Sequence, residues 1–518
     1  MKQTSAATQS SWFGTVAAAP EFPSLTQDMT ADVVVVGAGI AGLTTAYLLL
    51  REGKKVIVLE SGKLASGESG RTTAHLSNAL DDRYTRLEHL FGEKGARLAA
   101  ESHSAAIDRI EHIIQEEKID CDFTRLNGYL FLPEDGSPKE LDKELKAAHR
   151  AGLTGVERLS DSPTQGFRTG ECLLFPDQGQ FHILKYLYGL AEAIGRFKGR
   201  GGQIFTNTHV AEVQGGSEAS VTTADGHTVR AKAVVMATNT PVNDRVVMHT
   251  KQSPYRTYTI AARIPKGSVT RALYWDTPDP YHYIRLQEIT EGPRGGAPRY
   301  DLLLVGGEDH KVGQGDPELS LQRLEDWTRQ RFPMVQQIDY AWSGQVQEPS
   351  DSLGYAGRNP LDKDNVYIIT GDSGHGMTHS TLGGIIVTDL IQGRPNPWAD
   401  LYDPGRVTLR PASAYEFVKE NLNVATEYTE LLTGGDVSSI DEIEPGSGAV
   451  MRRGLTKVAV YRDPKGQTHE CSAICPHLGC VVHWNGLESS WDCPCHGSRF
   501  DALGKLLIGP ANQDLASA

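Results

Sequence analysis

The stretch from Asp32 to Leu50, DVVVVGAGIAGLTTAYLLL, constrains this chain more than any other. Val33 to Val36 are four β-branched residues in a row, the composition of a strand buried on both faces. Gly37, Gly39 and Gly42 follow at the G-x-G-x-x-G spacing, and Ala41 to Leu50 continues as an apolar helix. The first glycine permits a tight turn, the second lets backbone approach a pyrophosphate, and the third lets helix and strand pack closely. Free N–H groups at the helix N-terminus then favour the phosphate charge. Gly53 closes the helix, and residues 55–60 read as a second strand ending in Glu60. That acid lies 18 residues after Gly42, close to where a ribose-binding carboxylate belongs. A glycine triplet alone is a weak signal, but strand, triplet, helix, strand and terminal acid together define a dinucleotide site.

At 518 residues the chain has material for two or three domains. Its net charge of −14 argues against nucleic acid or an anionic membrane surface as partner. Residues 33–50 run for 18 positions without a charge, yet spaced glycines after a β-branched run explain them better than a membrane span. Residues 1–30 contain no apolar signal-peptide core and read as a loose tail, so a cytoplasmic location is expected. Five of the seven cysteines crowd between Cys471 and Cys495, which suggests a metal site and not a disulfide scaffold.

Beyond Glu60, the Gly- and Ser-rich loop 65–75 is placed to cover phosphates or a redox ring, with Arg71 and Thr72 as donors. Apolar residues at helical spacing predict a helix from Arg83 to Glu117, with His89, His103 and His112 on exposed faces. Residues 128–133 predict a strand, 139–150 and 180–195 helices, 201–210 a β-segment and 233–241 a buried strand running into a turn. Between Pro254 and Gly344 aromatic-rich alternating segments predict a mixed sheet in a second lobe. Residues 365–372 return to parallel-strand character and lead through Ser373-Gly-His-Gly-Met377 into another helix, which meets the cofactor from the other side. A helical stretch over 412–432 ends at Gly434-Gly435, read as a joint, and the remainder predicts a small all-β domain.

The cysteine cluster reads Cys475-Pro-His-Leu-Gly-Cys480 and Cys493-Pro-Cys-His-Gly-Ser-Arg-Phe500. Cys475-x-His477 and Cys493-x-x-His496 are separated by the 15 residues 478–492. A Cys/His zinc knuckle is the rival reading, although its ligand spacings differ. The two boxes resemble those of the Rieske family. That resemblance implies a [2Fe–2S] cluster with Cys475 and Cys493 on one iron and His477 and His496, facing solvent, on the other. It also implies a disulfide between Cys480 and Cys495, as in one Rieske subtype, and a covering loop at Gly509-Pro510. Phe500 stands where the family often has Tyr, while Ser498 is retained. One donor fewer implies a potential in the lower part of roughly −150 to +300 mV. Cys121, Cys172 and Cys471 match no ligand position and read as small buried residues.

Residues 31 to about 404 resemble the D-amino-acid oxidase/glycine oxidase superfamily. The features that carry this are the glycine fingerprint with Glu60, Ala237-Thr-Asn239, and Gly371-Asp-Ser-Gly-His-Gly-Met-Thr378. The resemblance implies non-covalent FAD held by Gly37, Ala38, Gly39, Ala41, Gly42, Glu60, Arg71, Thr72, Val210, Gly371, Gly374, Gly376 and Met377. Some relatives attach FAD through a His near the position of His75, but its surroundings here do not match. Arg285, Tyr283 and His282 lie where the superfamily lines its substrate pocket, with Arg285 suited to a substrate carboxylate; an aromatic strand with an ordinary Arg is the rival reading. The implied architecture is an α/β, Rossmann-like FAD-binding domain of glutathione-reductase type over 31–90, 165–245 and 345–404. A mixed α+β substrate lobe (91–164, 246–344), a helical linker (405–435) and an all-β Rieske domain (436–518) complete it. Together the two resemblances match a group of bacillar proteins of undefined substrate. They imply oxidation of a small amine or amino-acid-like substrate, with electrons passing from FAD to the cluster and on to an external acceptor. The alternative is an NAD(P)H-dependent electron-transfer component feeding an oxygenase, but a single G-x-G-x-x-G follows a strand. A redox-sensing protein without turnover is the third reading.

Overall fold

The computed structural model describes residues 7–243, 248–289, 300–408 and 411–518. Val33–Val36 lies inside a six-stranded sheet of order Tyr355–Arg358, Val366–Thr370, Ala233–Met236, Val33–Val36, Val56–Leu59, Gly202–Phe205 among these residues. The first pair is antiparallel and the others parallel. Such a sheet is covered on both faces, so a period of two sorts the valines between two cores. Val33 and Val35 join the helices Ile40–Arg51, Ile183–Arg196 and Gly376–Ile391 in one core. Val34 and Val36 face the small sheet containing Val210–Gln214, Ser220–Thr223 and Thr228–Arg230.

The second lobe is built on a nine-stranded mixed sheet among the described residues, with Gln252–Pro265, Tyr300–Lys311 and Gln337–Pro349 as its long strands. Cys172–Gln180, expected in the cofactor domain, pairs instead with Thr124–Phe131 in this sheet. Arg83–Glu117 is helical as expected, interrupted at Gly92 with φ 73°. His103 is not on an exposed face: it is buried, with Nδ1 at 2.8 Å from Thr378 Oγ1. The C-terminal domain is all-β, from Ser447–Arg453, Thr456–Arg462 and Thr468–Ser472 in one sheet to His483–Asn485, Ser490–Asp492, Arg499–Asp501 and Leu506–Ile508 in the other.

Two expectations are corrected. The N-terminal segment is not loose where it is described: Ser10, Ser11 and Trp12 are buried, and Trp12 Nε1 donates to Thr72 O at 2.6 Å. Nor does Gly434-Gly435 act as a free joint, because the C-terminal domain is docked on the flavoprotein part. Arg71 pairs with Glu488 at 2.8 Å with both side chains fully buried. Arg256 faces Asp492 at 3.4 Å, Gln345 Nε2 donates to Gly497 O at 3.0 Å, and Lys311 holds Glu420 of the linker helix.

Candidate functional site

A cavity of about 960 Å³ opens at the C-terminal ends of Val33–Val36 and Val56–Leu59, where ligands of open α/β sheets bind. Its wall includes Gly37, Gly39, Ala41, Glu60, Arg71, Thr72, Val210, Gly374, Gly376 and Met377. Three other residues expected at the cofactor act from behind this wall. Ala38 is buried and donates its N–H to Glu60 Oε2 at 2.8 Å. A Cβ on Gly42 would strike the Gly37 carbonyl, so this glycine is required by helix–strand packing. Gly371, at φ +67°, packs against Gln252 and Tyr355.

The cavity fits a dinucleotide. A Cβ on Gly39 would meet Ser69 Oγ at 2.8 Å; glycine keeps the backbone bare there, at the N-cap of Ile40–Arg51. Glu60, the expected ribose partner, is fixed at one end by the N–H groups of Ala38 and Gly62 (2.8 and 2.9 Å). At the other end the glycine-rich N-terminus of Gly376–Ile391 offers N–H groups and a helix dipole to negative charge. Arg71, expected as a phosphate donor, has its guanidinium engaged by Glu488, Ser343 O and Thr8.

At the far end from Glu60 stand Trp275, Tyr281, Tyr283, Asp81, Asp309 and His375. Tyr283 lines the cavity as expected, its hydroxyl 2.7 Å from Thr257 Oγ1, and its ring lies 5.5 Å from that of Tyr281. The Tyr281 hydroxyl donates to Asp81 Oδ2 at 2.6 Å. Burial pushes the Asp309 carboxyl up to about 7, and Asp372 up to about 6. Burial likewise drives His75 down to about 3, with Arg285 adding to the effect. His75 is held by Thr73 Oγ1 (2.9 Å) and the Ile284 carbonyl (3.4 Å).

Two expected pocket residues are elsewhere. His282 stacks on Trp327 with centroids 4.2 Å apart and pairs with Asp276 at 2.9 Å, on the opposite face of the sheet. Arg285 is buried outside the cavity, its Nη1 donating to the carbonyls of Thr73, Ala74 and Phe181. Its Nε and Nη2 reach only the Leu286 carbonyl, at 3.4 and 3.5 Å. Asp81 and Asp309 belong to no motif in the sequence; Asp309 lies in the polar end Glu308-Asp309-His310-Lys311 of the strand Tyr300–Lys311, which gives no local signal.

In the C-terminal domain the buried Cys475 and Cys493 thiols lie within hydrogen-bonding reach of each other. The rings of His477 and His496 are 5.0 Å apart, and His496 Nδ1 is buried with no hydrogen-bond partner, a lone pair suited to a metal. Sulfurs of Cys480, Cys493 and Cys495 cluster within 4.8 Å, but Cys480 and Cys495 are joined as a disulfide and so leave Cys493 to pair with Cys475. Ser498 hydrogen-bonds Cys475 and accepts the Ala511 N–H at 2.9 Å. The donors fit a Rieske cluster. His249 of the flavoprotein part packs edge-on against both imidazoles, at 4.7 and 5.5 Å; His496, expected to face solvent, is 7% exposed, whereas His477 is half-buried.

Residues 32–390 match the model of the FAD dependent oxidoreductase (DAO) family, and residues 435–518 match the Rieske [2Fe-2S] domain. The chain belongs to the FAD dependent oxidoreductase family and carries a Rieske domain, which makes it an oxidoreductase with FAD and a [2Fe–2S] cluster as cofactors. Among its relatives, YhfW of Bacillus subtilis (strain 168), described as a Rieske 2Fe-2S iron-sulfur protein, is 29% identical over 96% of this chain and 95% of its own. The gamma-glutamylputrescine oxidoreductase of Escherichia coli (strain K12) is 28% identical over 78% of this chain and 96% of its own. Glycine oxidase from Geobacillus kaustophilus superposes with a TM-score of 0.58 at 18% identity, covering 73% of this chain and all of that one, and so shares the fold. No helix among the described residues is long and apolar enough to cross a membrane.

Proposed function

We propose that this chain is a dehydrogenase that oxidises a small amine or amino-acid-like substrate beside its nitrogen and exports the electrons through the Rieske centre to an external carrier. When bound, FAD supplies a two-electron acceptor and the cluster a one-electron exit. Bare backbone at Gly37 and Gly39 receives the pyrophosphate, Glu60 the ribose, and the helix N-terminus at Gly374 to Met377 the charge that develops on the reduced ring. Asp309, with a pKa near 7, is matched to taking a proton from an ammonium group. Cys475, His477, Cys493 and His496 are the proposed cluster ligands.

The observation that carries this reading is that both domains wall one cavity. Residues Lys505 to Ile508 and Ala511 to Asp514 of the C-terminal domain line it together with the glycine fingerprint. Gln345, also in the wall, bonds Gly497 beside His496. The second cysteine box therefore faces inward, buried from Trp491 to Phe500, whereas Pro476 and Leu478 of the first box are exposed to a carrier. The E. coli relative bears the name of an amine oxidoreductase, which agrees with this class of substrate. Anaerobic mixing of the oxidised holoprotein with amines, with amino acids and with NADH or NADPH tests it. Bleaching by an amine or amino acid is expected; bleaching by NADH or NADPH alone would favour a reductase that feeds a partner.

A further inference from the structure

The end of the cavity that receives substrate carries acids, aromatic rings and no lysine or arginine free to take an anion, and the His375 imidazole there is held by Asp81, 3.4 Å away. Among the described residues lining it, Arg71 and Lys505 alone hold a fixed positive charge. Arg71 is spent on Glu488, and Lys505 pairs with Asp514 at 2.7 Å. Arg285 lies outside the wall with its guanidinium on backbone carbonyls. The acids, by contrast, converge. Asp81, Asp309 and Asp372 line the cavity, and Asp309 Oδ1 is buried with no hydrogen-bond partner. Tyr281, Tyr283 and Trp275 add ring faces around them. A substrate with a carboxylate on its reacting carbon would place that anion among these acids with no guanidinium to hold it. A protonated amine would find a counter-charge and cation–π surfaces.

Resting on the amine-oxidation reading above, we infer that the substrate is a cationic amine with no carboxylate on the reacting carbon, held by Asp309 beside Tyr281 and Tyr283. A buried carboxylate oxygen without a partner is costly unless a cation joins it, and Asp309, whose one hydrogen bond comes from Thr257, leaves Oδ1 open to such a ligand.

Matched pairs differing only in the carboxylate test this: pentylamine against norleucine, and 1,4-diaminobutane against ornithine, with both enantiomers of each amino acid. Dissociation constants are measured on the dithionite-reduced full-length holoprotein, which cannot oxidise the ligand. Each amine should bind at least about tenfold more tightly than its amino acid, equivalent to about 1.4 kcal/mol. Asp309→Asn, with flavin content and Tm checked, should weaken the amines about tenfold and leave the amino acids unchanged. Equal or tighter binding of the amino acids, or no binding of either amine, would overturn the inference even if Asp309→Asn failed to fold. So would an unchanged amine constant in a folded Asp309→Asn protein. Anaerobic bleaching separates the two levels: reduction by an amino acid leaves C–N oxidation standing and removes this inference, whereas reduction by NADH alone removes the reading beneath it.

Discussion

Replacing Glu488 with alanine should detach the Rieske domain from the flavoprotein part. Glu488 accepts the Thr8 N–H (2.9 Å), the Thr8 hydroxyl (2.7 Å), the Ser343 hydroxyl (2.5 Å) and Arg71 Nη2 (2.8 Å). Burial alone would raise its carboxyl pKa, but Arg71, Arg499 and Arg256 outweigh that and hold it well below the usual range. Removing it leaves the Arg71 cation fully buried without its counter-charge, a loss of about 3–5 kcal/mol for a buried pair broken on one side. At 1.4 kcal/mol per decade, the docked fraction falls against the undocked by roughly two to three and a half powers of ten. Electron transfer from flavin to cluster, followed after photoreduction of the flavin, should slow markedly, and protease sensitivity should appear in the linker at 405–435. The double variant Arg71→Met, Glu488→Leu removes both charges and should recover much of the stability, because apolar replacement of a buried pair is close to neutral. A wild-type transfer rate and an unmoved Tm in Glu488→Ala would refute the claim that this pair fixes the domains.

Three further outcomes are expected. Gly39→Val should fold, since φ is −81° there, yet purify without flavin absorbance because its side chain projects at Ser69 and the pyrophosphate path; full flavin content would contradict the assignment. Cys493→Ser should lose the EPR signal of a His-ligated [2Fe–2S] centre and spare flavin reduction by substrate, while reduction of the carrier stops; wild-type carrier reduction would take the cluster off the electron path. Binding of 1,4-diaminobutane should tighten as pH rises between about 6 and 8, because the Asp309 carboxyl, pushed up to about 7 by burial with Asp81, Asp279 and Glu308 adding to it against the Thr257 hydrogen bond, must ionise to pair with the ammonium; a flat profile would exclude Asp309 as the partner.

Local features were legible in the sequence and register-dependent ones were not. The glycine fingerprint and the cysteine boxes encode their geometry within a few residues, so Gly37, Gly39, Glu60, Cys475 and Cys493 fall where spacing puts them. Arg285 shares a face with Tyr283 by the period of two, but one step further along the strand carries it past the cavity and onto backbone carbonyls. His282 falls on the other face by the same rule. Arg71 sits in the predicted loop; its partner Glu488 is 417 residues away, a pairing that no local pattern reveals. The N-terminal segment reads as loose because its polar composition outweighs Trp12, whose burial no local pattern reveals.

The inward-facing second cysteine box leaves the two boxes unequal in their access to solvent. Residues 491–500 are buried throughout, with Gln345 bonded to Gly497 and His249 packed on the two imidazoles. Reagents in solution therefore reach the cluster site past the first box, where Pro476 and Leu478 are exposed and His477 is half-buried, while the seated flavoprotein part shields the second.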